Sequence, residues 1–362
     1  MIMEPDGIEV VETKAEADAL AIPPLLIVDS VRDYFDTIGL GKGEISWDRV
    51  GDGHSNVTYS IGRGDQTYVL RRGPRPPHPR STHDMVREAR IQQLVRRFDV
   101  PVPEILAICE DDSVLGVPFY VMEFLAGEVI TDHIPAALDS PDQRRGTALA
   151  AVDALVSLHR VDVTKGPLSR LGRPNGYLAR QVALFASLWG QNTTRTIPEV
   201  AILADWLAEN LPVSQGASVV HGDYRLGNLM FDSTSPARVS ALLDWEMATL
   251  GDPLADLGYL AATYATEGAV PTPMELTPVT RLPGYPSREE LIDRYREQFH
   301  LDVGALPWYE ALAVWKAAIF CEAMYTRWLK GERPGDDFAP TLEAGVPALL
   351  DAAREFAGIA AV

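Results

Sequence analysis

Cysteine is scarce in this chain. Its 362 residues include two, Cys109 and Cys321, both in apolar surroundings and neither with a second Cys or a His at ligand spacing. That argues against a disulfide framework or a Cys/His metal site, and it makes a reducing cytosol the default compartment. Basic charge is also in short supply. Against 51 Asp and Glu there are 32 Lys and Arg, a net charge of −19. No broad basic face can be assembled from that balance, so nucleic acid and anionic membrane are not expected partners. The acidity reads as a solvated surface, mildly favourable to a cationic substrate. No apolar run reaches the length of about 18 residues that a membrane span needs. The start, Met1 to Gly7, shows neither the basic nor the apolar region of a signal peptide. Internal repeats and low-complexity tracts are missing as well.

What is present is the texture of a globular enzyme, 46% apolar and 23% charged, long enough for one large domain or two lobes. Residues 1–25 are acidic and weakly patterned and read as a flexible lead-in, with a short helix over Ala15–Ala21. Apolar positions at helical spacing over Leu26–Ile38 stop at Gly39. Three short β-like runs follow, Glu44–Val50, Val57–Gly62 and Gln66–Arg71, separated by turn residues. A Pro-rich stretch, a helix over about Thr82–Phe98 and two further strands, Val102–Cys109 and Pro118–Phe124, complete a lobe over 26–125. From 126 to 362 helices dominate: Asp142–Arg160, Tyr177–Trp189, Pro198–Asn210, Arg288–Phe299, Trp308–Lys330 and Thr341–Ala357. The exception is a hairpin predicted from Asn228–Phe231 and Arg238–Leu243.

The most informative stretch lies at that hairpin: His221-Gly-Asp-Tyr-Arg-Leu-Gly-Asn228. Asn228 follows Asp223 by five positions, and Asp244, in Leu242-Leu-Asp-Trp-Glu246, follows Asn228 by sixteen. This is the layout of a phosphoryl-transfer site. Asp223 is the candidate catalytic base, a carboxylate that orients a substrate hydroxyl and takes its proton. Asn228 and Asp244 offer hard oxygen donors suited to Mg2+ on a nucleotide, brought together by the hairpin; Glu246 is placed to add a water-mediated contact or to be a plain surface residue. In the first lobe, Gly53, Ser55 and Asn56 sit in a small-residue turn between strands, where backbone N–H groups can approach phosphates or simply close a hairpin. Arg71, Arg72, Arg75, His78 and Arg80 form a local basic patch, either a solvated loop or a contact for a phosphorylated substrate.

Taken together, Gly53-His-Ser-Asn56, Tyr68-Val-Leu-Arg-Arg72, Arg87-Glu-Ala-Arg90, the His221–Asn228 loop, Leu243-Asp-Trp-Glu246 and Gly251-Asp-Pro-Leu-Ala-Asp256 resemble the aminoglycoside phosphotransferase and choline kinase group of protein-kinase-like enzymes. Within that group the look is of the phosphotransferase-like domain found fused to acyl-CoA dehydrogenases. The resemblance spans about residues 30–350 and is most specific at the catalytic loop. It implies an α+β, bilobal protein-kinase-like fold: a small five-stranded antiparallel N-lobe with one inserted helix, and a larger, mostly helical C-lobe carrying the catalytic β-hairpin. ATP, or GTP, with Mg2+ would bind between the lobes, with adenine meeting backbone in a hinge that includes Glu123 and Leu125. Arg71 stands where kinases carry a lysine, with Glu88 as its helix partner. His221 would pack beneath the loop, and Asp256 would hold loop backbone.

The expected activity is transfer of a γ-phosphoryl group to the hydroxyl of a small molecule, such as a hydroxyacyl-CoA, an aminoglycoside or an amino alcohol, in the cytoplasm. Two alternatives come from other classes. Arg71 in the lysine position is compatible with a pseudokinase that binds nucleotide without turnover. A true acyl-CoA dehydrogenase would carry flavin, and no part of the sequence resembles a flavin-binding dehydrogenase. Oligomeric state is not legible.

Overall fold

A computed structural model describes residues 7–51, 56–76, 83–234, 236–269, 271–333 and 335–360. The chain divides into two compact units, residues 1–97 with 102–126, and residues 98–101 with 127–362.

The first unit is built on a five-stranded antiparallel sheet in the order Ile45–Arg49, Val57–Arg63, Gln66–Arg72, Phe119–Glu123, Ile105–Cys109. Alternation sends the odd residues of Val57–Arg63 inward; Tyr59 and Ile61 are fully buried, as a strand with one covered face requires. Leu70, Phe119 and Val121 join them against Val31 and Phe35 of the helix Val28–Ile38. Gly39 ends that helix in the left-handed conformation at φ 74°, a role glycine fills without Cβ strain. The other face of the sheet, with Ile105 and Tyr120, packs on Met85 and Ala89 of the helix Met85–Val95. The strand expected from Val102 begins at Ile105, beyond Pro103, which has no N–H for a ladder.

The expected lead-in is a correction for the described residues of that segment. Val10–Val11 pairs in parallel with Leu26–Ile27. The Tyr59 hydroxyl donates to Glu9 at 2.7 Å, and Arg49 also pairs with Glu9. Thr13 and Glu16 form a capping box for a short helix, Lys14–Asp18, earlier than the expected Ala15–Ala21. A polar, weakly periodic segment is tied down here by carboxylate contacts that pattern reading does not register.

The second unit is mostly helical. Its longest helix, Leu306–Leu329, is buried around most of its circumference and packs against Leu342–Ala357, Leu254–Thr263 and Tyr177–Asn192. All-round apolar character marks a central helix. Two small β-elements interrupt the helices. Leu229–Phe231 pairs with Val239–Leu242 and with Glu128–Val129, and Ser218–Val220 pairs with Thr249–Gly251. Their loops carry the acidic residues singled out above.

Candidate active site

The strand Ser218–Val220, fully apolar at Val219 and Val220 and buried, delivers the loop that begins at His221. Asp256, fully buried near the start of the helix Leu254–Thr263, clamps that loop. Its Oδ2 accepts from the His221 N–H at 2.6 Å and its Oδ1 from the Gly222 N–H at 2.8 Å. Both bonds are charge-assisted in a buried setting, where such bonds are strong. The His159 Nε2 lies 3.3 Å from Oδ2, and the other ring nitrogen of His159 meets the Tyr295 hydroxyl at 2.8 Å.

Gly222 turns the chain at φ +87°, and a Cβ there would sit 2.8 Å from both Cβ and the carbonyl oxygen of Met247. Only glycine meets both demands. The His221 ring is buried, with Nε2 2.9 Å from the Leu243 carbonyl and Nδ1 3.4 Å from the Asp223 N–H. That pairing assigns the proton to Nε2 and makes the ring a brace between the two acidic loops.

Asp223 follows. Its Oδ2 accepts from Asn228 Nδ2 at 2.6 Å, and the same amide nitrogen donates to the Asp223 carbonyl at 2.9 Å. Oδ1 is buried and has no hydrogen bond of normal geometry among the described residues; Arg225 Nε stands 3.5 Å away. Tyr224 anchors the loop from beneath, its hydroxyl donating to the Ala151 carbonyl at 2.6 Å.

Asn228 is 5% exposed. With its nitrogen turned to Asp223, its carbonyl oxygen Oδ1 is left unused by any hydrogen bond among the described residues. The Leu243 N–H donates to the Asn228 carbonyl at 2.8 Å, and Leu229 pairs with Leu242, so the hairpin brings Asn228 beside the segment carrying Asp244. Asp244 adopts φ +61°, a left-handed backbone that strains a residue bearing a side chain and concentrates at functional sites. Trp245, buried, holds that turn by donating its indole N–H to the Leu242 carbonyl at 2.9 Å. The donors offered are hard oxygens, which suits Mg2+, an ion that takes one or two protein side chains and fills its shell with water and phosphate. No cluster of three or more His, Cys, Asp and Glu side chains suited to a metal occurs among the described residues.

In the first unit, Arg71 and Tyr120 are cross-strand neighbours, and both reach one carboxylate oxygen of Glu88, at 2.9 and 2.8 Å. Glu88 is 3% exposed. Gln92 donates to the Tyr120 hydroxyl at 3.2 Å, and Arg71 also contacts Thr58 Oγ1 at 3.3 Å. The Arg71–Glu88 pair expected from sequence is therefore formed.

Other residues read from the sequence are placed differently. Asn56 is buried, with Oδ1 2.8 Å from His83 Nδ1; Gly53 and Ser55 lie outside the described residues. The Glu123 side chain is committed within the first unit, accepting from the Glu104 N–H at 2.7 Å and lying 3.3 Å from Arg96. The Leu125 N–H makes no hydrogen bond among the described residues.

The basic patch is corrected. Arg72 is buried, donating to the carbonyls of Gly73, Leu25 and Leu115, and burial holds its pKa down to about 10. Arg75 donates to the carbonyls of Pro23 and Ile8. His78 and Arg80 lie outside the described residues. These arginines tie loops together, a use that a count of charges cannot distinguish from an anion site.

Three side chains near Asp223 went unread in the sequence. Arg225 lies inside the loop itself. Tyr259, on Leu254–Thr263, faces the Asp223 carboxylate; burial first, then the Asp223 charge and a hydrogen bond to it, raise its hydroxyl pKa well above the usual value. Lys316 lies on Leu306–Leu329, within the field of Asp256 and Asp223. The signal available was a Tyr and a Lys within otherwise apolar helices, where a polar group is costly unless used.

A five-stranded antiparallel sheet in the first unit and a mostly helical second unit that carries the His221–Asn228 loop make up the protein-kinase-like fold of the aminoglycoside phosphotransferases. The chain belongs to the phosphotransferase enzyme family, whose pattern matches residues 46–291. It is 33% identical over 327 residues to acyl-CoA dehydrogenase family member 10 of Mus musculus, a match covering 88% of this chain and 30% of that protein. The chain thus spans less than a third of this curated relative. Among solved structures, a putative aminoglycoside phosphotransferase from Ralstonia eutropha matches with a TM-score of 0.78 at 28% identity, over 91% of this chain and 98% of that one. A thermostable mutant of aminoglycoside phosphotransferase APH(4)-Ia, solved with AMP-PNP and hygromycin B, shares the fold with a TM-score of 0.57 at 17% identity, over 89% and 98% of the two chains. The expected α+β architecture, with its antiparallel sheet and helical second part, is that of these phosphotransferases. No helix among the described residues is long and apolar enough to cross a membrane.

Proposed function

We propose that this chain is an ATP- and Mg2+-dependent kinase that phosphorylates a hydroxyl of a small molecule. The observation that carries the reading is the state of Asp223: Oδ2 is fixed by Asn228 at 2.6 Å, while Oδ1 has no hydrogen bond of normal geometry among the described residues and lies 3.5 Å from Arg225 Nε, with Tyr259 facing the carboxylate. A base whose second oxygen is held ready needs no reorganisation when a hydroxyl arrives. The acceptor oxygen bonds to the γ-phosphorus as the bond from phosphorus to the β-phosphate oxygen breaks. The hydroxyl proton passes to Asp223 Oδ1, and ADP leaves.

Asn228 Oδ1 and the Asp244 carboxylate would hold Mg2+, which when bound neutralises charge on the phosphate oxygens. Arg71, held by Glu88, supplies a fixed cation for the nucleotide phosphates; the guanidinium fork can take two phosphate oxygens where an ammonium would act as a point charge. The intact Arg71–Glu88 pair favours turnover over a purely nucleotide-binding role. The backbone of Glu123 and Leu125 is assigned to the adenine edge. AMP-PNP in the APH(4)-Ia complex supports an adenine nucleotide as donor. For the acceptor, the relative's name supports a hydroxylated acyl-CoA, and hygromycin B in the neighbour supports a sugar hydroxyl.

The test is phosphoryl transfer from γ-labelled ATP to a panel of hydroxyacyl-CoAs, aminoglycosides and amino alcohols. Asp223→Asn is expected to abolish transfer while retaining Mg–ATP binding. Normal turnover in that variant overturns the assignment of the base.

A further inference from the structure

The loop that carries Asp223 also carries a cation. Arg225 stands two residues after Asp223 and three before Asn228, and its backbone is fixed. Tyr224 and Leu226 on either side are buried, and the Arg225 carbonyl accepts from the Asn228 N–H at 2.9 Å. The side chain folds back over the loop. Its Nε lies 3.5 Å from Asp223 Oδ1. A Cβ added to Gly227 would fall on Nη1 and lie 3.3 Å from Cζ. Gly227 is not among the glycines with positive φ, so what glycine supplies there is room for the guanidinium.

A guanidinium offers five N–H donors. None of those of Arg225 makes a hydrogen bond of normal geometry among the described residues, and Nε is buried without one. Other arginines of the second unit are spent. Arg195 donates to Glu322 and to the Glu343 carbonyl, and Arg294 holds Asp153 through two nitrogens at 2.7 Å. The Arg225 side chain is only 20% exposed, and donors withheld from water without a partner are costly. Neutralising Asp223 does not account for them. A neutralising arginine would donate to the carboxylate, whereas here Nε and Oδ1 stand side by side with neither satisfied. A cation beside the base also lowers its proton affinity, which opposes its task. The arrangement suits a third group, negatively charged, that arrives with the hydroxyl.

The transferring phosphoryl is such a group. An acceptor oxygen bonded to Oδ1 sits about 2.7 Å from it, and the phosphorus it attacks lies roughly 3–3.5 Å further. The oxygens on that phosphorus are within the span of a guanidinium anchored 3.5 Å from the same Oδ1.

We propose that Arg225 is a catalytic residue: its guanidinium fork donates two hydrogen bonds to non-bridging oxygens of the phosphoryl group in transfer. This deepens the kinase reading and rests on it. The acceptor oxygen bonds to the γ-phosphorus, the bond from phosphorus to the β-phosphate oxygen breaks, and the acceptor proton passes to Asp223 Oδ1. Arg225 keeps its own proton throughout, since a guanidinium stays charged at neutral pH. Its donors meet charge as that charge redistributes over the phosphoryl oxygens, so Arg225 acts on kcat and not on ATP affinity.

The test needs no identified acceptor, because water can stand in for the hydroxyl. With the full chain, hydrolysis of γ-labelled Mg–ATP would be measured for the parent, Arg225→Met, Arg225→Lys and Arg225→Ala, beside the Kd of Mg–ATP from calorimetry. Transfer to any acceptor that proves active would be measured in the same set. Arg225→Met is expected to slow turnover by about a hundredfold or more with the Kd unchanged. Arg225→Lys keeps the charge without the fork and is expected to fall between. Methylguanidine is expected to restore part of the rate to Arg225→Ala and to leave the parent and Asp223→Asn unaffected, a response that a misfolded variant cannot give. Full turnover in Arg225→Met, a rise in Kd as large as the fall in rate, or no rescue of Arg225→Ala overturns the proposal. If the parent turns over and Asp223→Asn does not, full turnover in Arg225→Met sinks this inference alone. A parent that neither hydrolyses Mg–ATP nor phosphorylates any acceptor sinks the kinase reading, and this inference with it.

Discussion

The Asn228 Nδ2 amide donates to the Asp223 carboxylate at 2.6 Å and to the Asp223 carbonyl at 2.9 Å, so the proposed base and the proposed metal ligand are one hydrogen-bonded unit. The amide fixes the carboxylate rotamer without adding charge to it. Asn228→Asp would place two carboxylates in contact. Like charges in contact repel, and Asp223 loses the amide that orients its carboxylate. Phosphoryl transfer is expected to fall by about tenfold or more, read as the initial rate at saturating Mg–ATP. An unchanged rate would mean that the Asn228 amide does not orient Asp223.

Asp256 predicts a stability effect. Its two oxygens satisfy consecutive backbone N–H groups in a fully buried setting. In Asp256→Asn one oxygen becomes an NH2 that faces a donor, leaving a buried N–H without an acceptor. The expected loss is about 2–4 kcal/mol, read from urea denaturation, together with a fall in kcat as the loop loses its brace. A variant as stable as the parent would show that the clamp is not what orders the loop.

Gly222→Ala should act on the same loop by a different route. Its backbone is left-handed and the added methyl has no room beside Met247. A loss of about 2 kcal/mol or more is expected, with the fluorescence of the adjoining, buried Trp245 altered. If only stability changes and kcat is preserved, the turn tolerates displacement without moving Asp223.

Lys316 carries a prediction with the opposite sign. Its pKa is held down to about 8 against an ordinary 10.5, chiefly by burial, with Asp256 and Asp223 opposing. Below pH 8 the folded state carries a charge it disfavours. Between the two values the unfolded chain binds more protons, and stability rises with pH. Lys316→Met removes the penalty, so the variant should be more stable than the parent at pH 7 by roughly 1–3 kcal/mol, measured by denaturant titration. The difference should shrink as pH rises through 8 toward 10.5. A destabilised variant at neutral pH would point to a packing role for the lysine stem.

Much of the site was legible because the loop is local. Asp223 and Asn228 are separated by five residues, and Asp244 is joined to them across a short hairpin. Spacing in such a segment translates almost directly into distance. The Arg71–Glu88 pair was also readable, since strand parity assigns Arg71 to the face opposite Leu70, where the helix Met85–Val95 packs. Arg72, one residue on, shows the limit. Its type and neighbours suggested an exposed patch, yet it is buried and spends its guanidinium on carbonyls from Leu25 and Leu115, both remote in sequence. The lead-in failed for the same reason, as Glu9 acquires Tyr59 and Arg49 as partners only after the sheet has formed.

By itself the sequence determined the family and the α+β division, because hydrophobic periodicity and short-range spacing are set by covalent geometry. Tertiary structure alone decided what surrounds the base. Tyr259 faces Asp223, and Lys316 lies within its field, from helices whose apolar faces dictate their packing, and no local pattern records which polar side chain that packing carries inward. The setting of Asp223 is therefore a property of how helices far apart in sequence pack together.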